Sequence, residues 1–393
     1  MLNKKIFFIL IIPSLVINYF TFTFFDHDHN LSFFSTLLVV LFNFFNLILA
    51  YSCSKFGFFK SSILFLTIIM LVIFLDIVFA NLMKNRSIQV YDDELGWIIN
   101  ESIKLSLNSS TKQKKIYKTE YFTSDVKGFR EFDKKRLHKK NILIIGDSYT
   151  AGPFASNNKM YYSHLKKKLE NKGLFFNWFV GGGGGYGTLQ QYLLIKKNLD
   201  VIKPDLFIHQ FCENDFENNS KVIEKNSILR NQYYFRPYLH NKKIIYDTTN
   251  IGKIYKFIYR NSYLFKKIDK IISSYQYKKN GYYNKKIYEN NIDNSLNITS
   301  EIFGMIKSLI GADTMYVSIN CSSKNIVKFQ QWKNILDKHN IVALTVPNKS
   351  LEILTQNNED IYYTDGAHLN EYGNKIFGEK IYEELIKILI NEK

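Results

Sequence analysis

Cysteine and proline are both scarce in this chain of 393 residues, which has three cysteines and five prolines. Cys53, Cys212 and Cys321 are odd in number, and no Cys-x-x-Cys spacing occurs among them. The cysteines therefore indicate neither a disulfide framework nor a cysteine metal site, and they do not identify the redox compartment. Proline is scarce while lysine, asparagine, isoleucine, tyrosine and phenylalanine are abundant, a mixture that a biased genome composition also produces.

Acidic residues are too few to balance the basic ones, since 35 Asp and Glu face 52 Lys and Arg, a net charge of +17. The basic residues are scattered and no recognition motif accompanies them, so nucleic-acid binding is not expected. A basic surface attracts anionic lipid or an acidic polysaccharide. A solvated basic surface with no such partner is the favoured interpretation of the excess.

Long apolar runs are confined to the first 83 residues, at positions 6–25, 31–52 and 61–83. A helix needs about 20 apolar residues to cross a hydrocarbon core, and only a helix satisfies its own backbone there. The first run is too long for a signal peptide, and no small-x-small cleavage site follows it. The sequence therefore predicts an uncleaved membrane anchor with three transmembrane helices over residues 1–86.

The basic residues of the connecting loops predict the orientation of this anchor. Lys4 and Lys5 precede the first run, the loop 26–30 has no Lys or Arg, and Lys55 and Lys60 lie in the next loop. Cytoplasmic loops carry the excess of basic residues. We therefore expect a multi-pass protein of the inner (cytoplasmic) membrane, with residues 87–393 on the periplasmic or extracellular side.

Two polar features of the anchor have alternative interpretations. Asp76 lies within the third run, where a carboxyl group is a functional candidate by default. The simpler alternative, which is favoured, is a neutral or paired Asp76 that meets Asn43 or Asn46, since these two asparagines share a helix face. The Asp-His-Asp-His sequence at 26–29 fits a metal site, and a short polar loop explains it equally well.

Residues 91–140 are polar and lack a clear period, whereas strand and helix patterns alternate after Lys140. This alternation predicts an α/β domain with a parallel sheet and helices on both of its faces. In such sheets the functional sites lie beyond the carboxyl ends of the strands. Strands are predicted at 141–145, 174–180, 205–211, 314–319 and 341–346, and helices at 158–169, 188–198, 300–309, 325–338 and 371–390.

The segment 217–296 interrupts the alternation and is rich in Tyr, Lys and Asn, including Tyr233-Tyr234 and Tyr282-Tyr283. We interpret it as an inserted, partly helical segment that covers or borders the site. Its aromatic residues fit two roles, which are stacking on sugar rings and packing within a small helical core.

Ser148 follows the first predicted strand directly, in the run Ile144-Ile145-Gly146-Asp147-Ser148. A serine there lies at the carboxyl edge of the sheet, with its hydroxyl exposed and its own N–H directed into the site. One residue then supplies both a nucleophile and an oxyanion donor. The structural alternative is an ordinary helix N-cap.

Polar or flexible residues also follow the second and third predicted strands. Five consecutive glycines, 181–185, precede Tyr186-Gly187-Thr188, and such a loop lets backbone N–H groups approach a ligand. A phosphate-binding loop is not indicated, because no Gly-Lys-Ser or Gly-Lys-Thr follows. Asn214 ends the third strand, where its amide can donate to an oxyanion or form an Asx turn or helix cap.

The last loop contains Asp365-Gly366-Ala367-His368, so one loop can supply a base and the acid that orients it. His368 would accept the proton of the serine, and Asp365 would hold the imidazole in the required tautomer. His209, by contrast, lies within a predicted strand and is interpreted as a packed or hydrogen-bonded residue.

These motifs together resemble the SGNH (GDSL-type) hydrolase superfamily over about residues 92–393. The resemblance implies a flavodoxin-like three-layer α/β/α domain with a central parallel sheet. Two lead-in segments, 92–97 and Gly128-Phe129-Arg130, are similar to those of some members. The glycine that family members carry in the block containing Asn214 is replaced here by Cys212 or Glu213, and the polyglycine run replaces more varied residues of the family.

The resemblance also implies the site residues. The implied triad is Ser148, His368 and Asp365, and the implied oxyanion hole is the Ser148 N–H, the Gly185 N–H and the Asn214 side chain.

The expected function is that of a serine esterase that removes an acyl group, acetyl above all, from a cell-envelope glycan or a lipid-linked sugar. The same triad suits an O-acyltransferase, which would need a partner protein to deliver the acyl group. A catalytically inactive glycan-binding protein is the third hypothesis. No metal or cofactor is expected for any of the three.

Overall fold

The computed structural model describes Asn43, Tyr51 and residues 58–84, 87–101, 103–110, 116–124, 126–130, 137–281, 283–321 and 325–391. The chain divides into two compact units. The first takes its described residues from Met1–Asn85 and Thr249–Asn284, and the second consists of Arg86–Thr248 and Lys285–Lys393. The predicted insertion 217–296 is therefore divided, because only its middle part groups with the first unit.

Two antiparallel hairpins precede the main sheet of the second unit. They extend from Gln89 to Phe122 and so lie mostly within the region 91–140, which lacks a clear period in the sequence. Apolar and polar residues do not alternate regularly along these strands, one of which reads Gly-Trp-Ile-Ile, so the pattern that identifies a half-buried strand is weak. The hairpins pair β1 (Gln89–Asp92) with β2 (Gly96–Ile99) and β3 (Lys104–Ser110) with β4 (Ile116–Phe122).

The central sheet has five parallel strands: β5 (Asn141–Gly146), β6 (Asn177–Gly182), β7 (Leu206–Phe211), β10 (Met315–Asn320) and β11 (Val342–Leu344). A short hairpin of β8 (Tyr238–His240) and β9 (Lys243–Ile245) lies between them in the chain. The spatial order β11-β10-β7-β5-β6 is the flavodoxin-like order read from the other edge. The predicted α/β class and parallel sheet are confirmed.

The helices of the second unit form layers on the two faces of this sheet. On one face a continuous core joins strand residues such as Ile142 and Ile144 to Tyr161, Phe377 and other helical residues. Burial of each such side chain contributes about 1.5–3 kcal/mol. The helices of the chain are α1 (Phe58–Lys84), α2 (Ser148–Ala151), α3 (Tyr161–Glu170), α4 (Thr188–Ile202), α5 (Asp215–Asn219), α6 (Lys221–Lys225), α7 (Arg230–Phe235), α8 (Asn250–Asn261), α9 (Tyr263–Asn280), α10 (Lys285–Ile310), α11 (Ile326–Lys338), α12 (Val346–Gln356) and α13 (Glu371–Asn391).

Helix α12 was not predicted, because the sequence pattern assigned residues up to 346 to the fifth strand. That strand ends at Leu344, and the helix begins at Val346 with Pro347 in its first turn. Proline is well suited to this position, since its missing N–H would have no partner there. The predicted helix 300–309 is the last part of α10, which has 26 residues.

The predicted transmembrane helices are not supported by the structure. The runs 6–25 and 31–52 lie outside the described residues, apart from Asn43 and Tyr51. The third run lies in α1, but none of the described helices is long and apolar enough to cross a membrane. Asp76 of α1 accepts a hydrogen bond from the Leu264 N–H at 2.8 Å.

This contact assigns Asp76 a structural role at the first turn of α9. The first N–H groups of a helix have no partner within it, and an acceptor from another segment satisfies one of them. Asp76 is thus paired, with a backbone N–H as one partner, and Asn46 of the second run lies outside the described residues. The sequence 26–29, with its two alternatives, lies outside the described residues.

Candidate active site

Ser148 is the first residue of α2, immediately beyond the carboxyl end of β5. The N-cap is Asp147, whose buried carboxylate accepts a hydrogen bond from the Tyr149 N–H at 2.9 Å. The alternative interpretation of Ser148 as an N-cap is therefore wrong. Gly146 is required before it, because a Cβ there would lie 2.2 Å from the Gln210 side chain and 2.4 Å from Thr150.

His368 and Asp365 meet Ser148 from the loop before α13. His368 Nε2 lies 2.8 Å from Ser148 Oγ, and His368 Nδ1 lies 2.5 Å from Asp365 Oδ2. The other carboxylate oxygen of Asp365 accepts the Ala367 N–H at 2.9 Å and the His368 N–H at 3.0 Å. The structure thus brings together the three residues of the predicted triad in the order serine, imidazole, carboxylate.

The hydrogen bonds around Asp365 keep its carboxyl group ionised. Partial burial raises the pKa of Asp365, but the hydrogen bonds from the His368 side chain and from the backbone of His368 and Ala367 outweigh burial and lower that pKa below its usual value. A carboxylate beside Nδ1 favours the tautomer in which Nδ1 carries the proton, which leaves Nε2 able to accept one from Ser148.

Tyr149 fixes the loop that carries His368, and sequence reasoning missed it. Its hydroxyl donates a hydrogen bond to the Ala367 carbonyl, one residue before the imidazole. Burial raises the pKa of Tyr149 well above its usual value, so the hydroxyl keeps its proton and remains a donor. Phe154 also contacts the imidazole of His368 edge-on, with ring centroids 5.5 Å apart.

The two further oxyanion candidates lie at the same edge of the sheet as Ser148. Strand β5 lies between β6 and β7, and all three are parallel, so their carboxyl ends are neighbours. Gly185 lies in the loop after β6 and has a φ of +71°, a value that favours glycine. Asn214 follows β7, is exposed, and occupies the N-cap position of α5, where its side chain makes no capping hydrogen bond.

The polyglycine loop is held by long-range hydrogen bonds to its carbonyl groups. Arg236, which is 1% exposed, donates from Nη2 to the Gly185 carbonyl at 2.8 Å. Trp97 Nε1 donates to the Gly184 carbonyl at 2.9 Å, and the Arg236 guanidinium lies 5.2 Å from the Trp97 ring. Trp97 belongs to the lead-in segment 92–97, whose resemblance to some family members had already marked it. Nothing in the sequence singled out Arg236.

Arg130, in the second lead-in segment, binds the carboxyl end of α2, the helix that begins with Ser148. It is buried, and its Nη1 donates to the carbonyl oxygens of Ala151 at 3.0 Å and Gly152 at 2.9 Å. Its Nη2 donates to the Ala155 carbonyl at 2.9 Å. The last carbonyl groups of a helix lack intrahelical partners, so Arg130 fixes the end of α2 and with it the position of Ser148.

Cys212 and Cys321 form a disulfide, which the number and spacing of the cysteines did not indicate. They lie just beyond the carboxyl ends of the adjacent strands β7 and β10. Nothing in the sequence indicated this pairing, because 109 residues separate the two cysteines and only the sheet order makes them neighbours. The disulfide braces the segment that carries Asn214.

A small cavity opens beside Ser148 and His368, with a volume of about 10 Å³. This is close to the minimum that holds one water-sized group. Within the part of the chain that the structure describes, no group of three or more His, Cys, Asp or Glu side chains could hold a metal ion. The cavity walls include Tyr149, Gly152, Pro153, Phe154, Met160, Tyr363 and Leu369.

Tyr233 and His209, which the sequence singled out, are both buried in packed or hydrogen-bonded surroundings. Tyr233 is buried, and its ring lies 5.0 Å from Tyr234 and 6.1 Å from Tyr238, which is the packing alternative. Tyr282 lies outside the described residues. His209 is fully buried between the Tyr316 hydroxyl at 2.7 Å and Gln191 at 2.5 Å, as its position in a strand suggested.

Solved structures similar to this chain share little sequence with it. TesA is 11% identical over 63% of this chain and 99% of its own, with a TM-score of 0.38. A lipase/acylhydrolase from Enterococcus faecalis is 13% identical over 63% and 96%, with a TM-score of 0.37. A family 3 carbohydrate esterase from Clostridium thermocellum is 14% identical over 64% and 98%, with a TM-score of 0.36.

No curated protein matches the chain. A family model described as GDSL-like Lipase/Acylhydrolase matches residues 142–381, which is more than half of the chain. That range contains Ser148, Gly185, Asn214, Asp365 and His368. The protein therefore belongs to the GDSL-like lipase/acylhydrolase family and is an ester-hydrolysing serine hydrolase.

Proposed function

We propose that this protein removes a small acyl group, acetyl, from an envelope glycan or a lipid-linked sugar through an acyl-enzyme on Ser148. The observation that carries the proposal is the 2.8 Å contact between Ser148 Oγ and His368 Nε2, with Asp365 on the opposite ring nitrogen. A nucleophile, its base and an orienting acid in this order are the arrangement that acyl transfer requires.

In the first half of the reaction, Ser148 Oγ attacks the acyl carbonyl carbon while its proton passes to His368 Nε2. The carbonyl oxygen becomes an oxyanion, and the Ser148 N–H, the Gly185 N–H and the Asn214 amide are the donors for it. The tetrahedral intermediate then collapses. The bond to the sugar oxygen breaks, and that oxygen leaves with the proton from His368.

In the second half, water attacks the acyl-enzyme and gives its proton to His368. The bond between the acyl carbon and Ser148 Oγ breaks, the serine recovers the proton, and a carboxylic acid is released. Asp365 stays ionised through both halves and stabilises the imidazolium, which agrees with its lowered pKa.

The small cavity beside Ser148 is the basis for proposing a short acyl group. A volume of about 10 Å³ leaves room for little more than one small group beside Ser148, which favours a short acyl chain such as acetyl. Purified protein is assayed on p-nitrophenyl acetate, butyrate and octanoate. We expect kcat/KM to fall with chain length, and a preference for octanoate would contradict the acetyl assignment.

The disulfide between Cys212 and Cys321 is the basis for proposing the compartment in which the protein acts. Disulfides persist in oxidising compartments and are rare in the cytosol, so the proposed site of action is the cell envelope outside the cytoplasm. Substrate material in that compartment includes acylated polysaccharide and lipid-linked sugars.

Acyl transfer to a sugar hydroxyl would use the same acyl-enzyme, and product analysis distinguishes the two reactions. The protein is incubated with an acetyl ester, with and without an oligosaccharide acceptor, and free acetate and acetylated sugar are quantified. Acetate as the sole product supports the esterase. Acetylated acceptor that forms at the expense of acetate would replace the esterase by an O-acyltransferase, and no product from either would leave a non-catalytic glycan-binding role.

A further inference from the structure

Helix α8 exposes an apolar face. Ile251 is 71% exposed, Ile254 is 60% exposed and Phe257 is 69% exposed. Residues three apart lie near one another on a helix surface, so these side chains form one stripe. A contiguous apolar stripe on a protein surface marks a site of interaction with another molecule or with a membrane.

The packing of α8 explains why this face is turned outward. Gly252 is buried, and Tyr255 stacks on Tyr259 with ring centroids 5.6 Å apart. Both tyrosines also contact Phe265 of α9, at 5.5 Å and 6.2 Å. The tyrosine side of the helix is thus used within its own unit, and the isoleucine and phenylalanine side is left on the surface.

The same unit exposes further apolar side chains on its other two helices. In α1, Leu66 is 61% exposed and Met70 is 66% exposed, and Phe74 is 62% exposed. In α9, Ile272 is 44% exposed. Scattered single residues of this kind are normal, but three neighbouring helices of one unit that all expose large apolar residues are not.

The charges beside the apolar stripe indicate what covers it. Residues 250–277 contain five lysines and one arginine against the single acid Asp269. On α8, Lys253, Lys256 and Arg260 follow a neighbouring stripe of the helix. A helix with isoleucine and phenylalanine on one side and basic residues on another is the pattern of helices that lie in the interface of a membrane.

We propose that α8 binds an anionic lipid surface, with Ile251, Ile254 and Phe257 inserted among the acyl chains and the adjacent basic residues at the headgroups. The basic stripe favours lipid over a protein partner because headgroup phosphates complement it along the length of the helix. Such a helix lies in the plane of the membrane surface, and this site is independent of the esterase chemistry.

The test uses the full-length chain with Phe257→Trp, reconstituted with phosphatidylcholine vesicles that contain phosphatidylglycerol. Brominated phosphatidylcholine quenches a tryptophan that lies among its acyl chains. The native Trp97, Trp178 and Trp332 are all buried and serve as the constant background. We expect the added emission of F257W to be lost in brominated vesicles, and unchanged emission would overturn the proposal.

Val201→Trp is the matched control, because Val201 is 75% exposed on α4 of the second unit. Its emission should be the same in brominated and ordinary vesicles. Equal quenching of F257W and V201W would overturn the proposal that α8 is the segment that contacts the lipid. Lys253→Glu combined with F257W should reduce quenching in vesicles with phosphatidylglycerol, and high salt should do the same. If F257W emission is already blue-shifted without lipid in a cross-linkable dimer, a second copy covers the face and the proposal fails.

Discussion

Arg236 Nη2 donates a hydrogen bond of 2.8 Å to the carbonyl oxygen of Gly185, although 51 residues separate the two in the chain. The same guanidinium donates to Gln190 Oε1 at 2.5 Å and to Gln232 Oε1 at 2.8 Å, and it lies near the buried Glu224 carboxylate at 3.8 Å. The Gly185 N–H shares a rigid, planar peptide group with the Gly184 carbonyl, which Trp97 Nε1 holds at 2.9 Å, and Arg236 holds the next peptide group through the Gly185 carbonyl. Trp97 and Arg236 together therefore fix the direction of the Gly185 N–H.

Replacement of Arg236 by lysine should therefore impair the proposed oxyanion hole while retaining the buried charge beside Glu224. Lysine is a point charge and cannot bond three acceptors in one plane. We expect kcat on p-nitrophenyl acetate to fall about 10- to 100-fold, since loss of a whole oxyanion donor costs about 10²–10³, with little change in KM. Arg260→Lys on the exposed face of α8 is the control and should retain full activity.

Two results would contradict this account of Arg236. One is an R236K variant with unchanged kcat. The other is a fall in kcat that follows only the fraction of unfolded protein in a thermal melt. Gly185→Ala gives a second test, because its φ is +71° and its Cβ would lie 2.9 Å from the Gln232 side chain. It should lower kcat in the same manner.

Phe154 should limit the length of the acyl chain. It lines the small cavity, and its ring lies 5.9 Å from Tyr363 and 5.5 Å from His368. Phe154→Ala should raise the ratio of kcat/KM on butyrate to that on acetate about tenfold, since one methylene in a pocket is worth about 10–200-fold. Phe175→Ala, on the opposite edge of the sheet, should leave the ratio unchanged; a wild-type ratio in F154A would place the acyl group elsewhere.

The disulfide between Cys212 and Cys321 should contribute measurably to stability. It closes a loop of 109 residues, and removal of a disulfide typically costs about 2–4 kcal/mol. The double variant Cys212→Ser, Cys321→Ser should unfold at lower denaturant concentration than the wild type. A reducing agent should destabilise the wild type and leave the double variant unaffected; equal unfolding midpoints for both proteins under oxidising conditions would contradict the pairing.

His209 should make the fold less stable as the pH falls below 6.5. Burial lowers the pKa of His209 to about 3 from its usual 6.5. Between these values the unfolded chain binds a proton that the folded protein excludes, so the free energy of unfolding falls by about 1.4 kcal/mol per pH unit. The variant His209→Gln should lack this increment in denaturation curves from pH 7 to 4, and parallel curves for the two proteins would contradict it.

The sequence predicted the parts of the site that depend on strand ends. Ser148 and Asn214 each come shortly after an apolar run that forms a strand. Parallel strands bring their carboxyl ends to one edge of the sheet, so the apolar runs alone predicted that these two residues lie near each other. Asp365 and His368 share one loop, so a separation of three residues was enough to suggest their contact.

The parts that the sequence did not predict depend on contacts between distant segments. Arg236 resembles any other basic residue in a chain with 52 of them, and only the folded structure shows which carbonyl group it holds. The lead-in segment marked Arg130, but it did not indicate the helix-end carbonyl groups that Arg130 binds. The pairing of Cys212 with Cys321 requires β7 and β10 to be adjacent, which the strand pattern alone does not specify. Asp76 likewise found its partner in Leu264, in a segment 188 residues away.

The central claim is that Ser148 is the nucleophile. The most direct measurement is labelling of the purified full-length protein with a fluorophosphonate probe, followed by mass spectrometry of the labelled peptide. We expect label on Ser148 in the wild type and in the control variant Ser350→Ala, and none in Ser148→Ala. Failure of the folded wild type to react, or undiminished labelling of S148A, would contradict it.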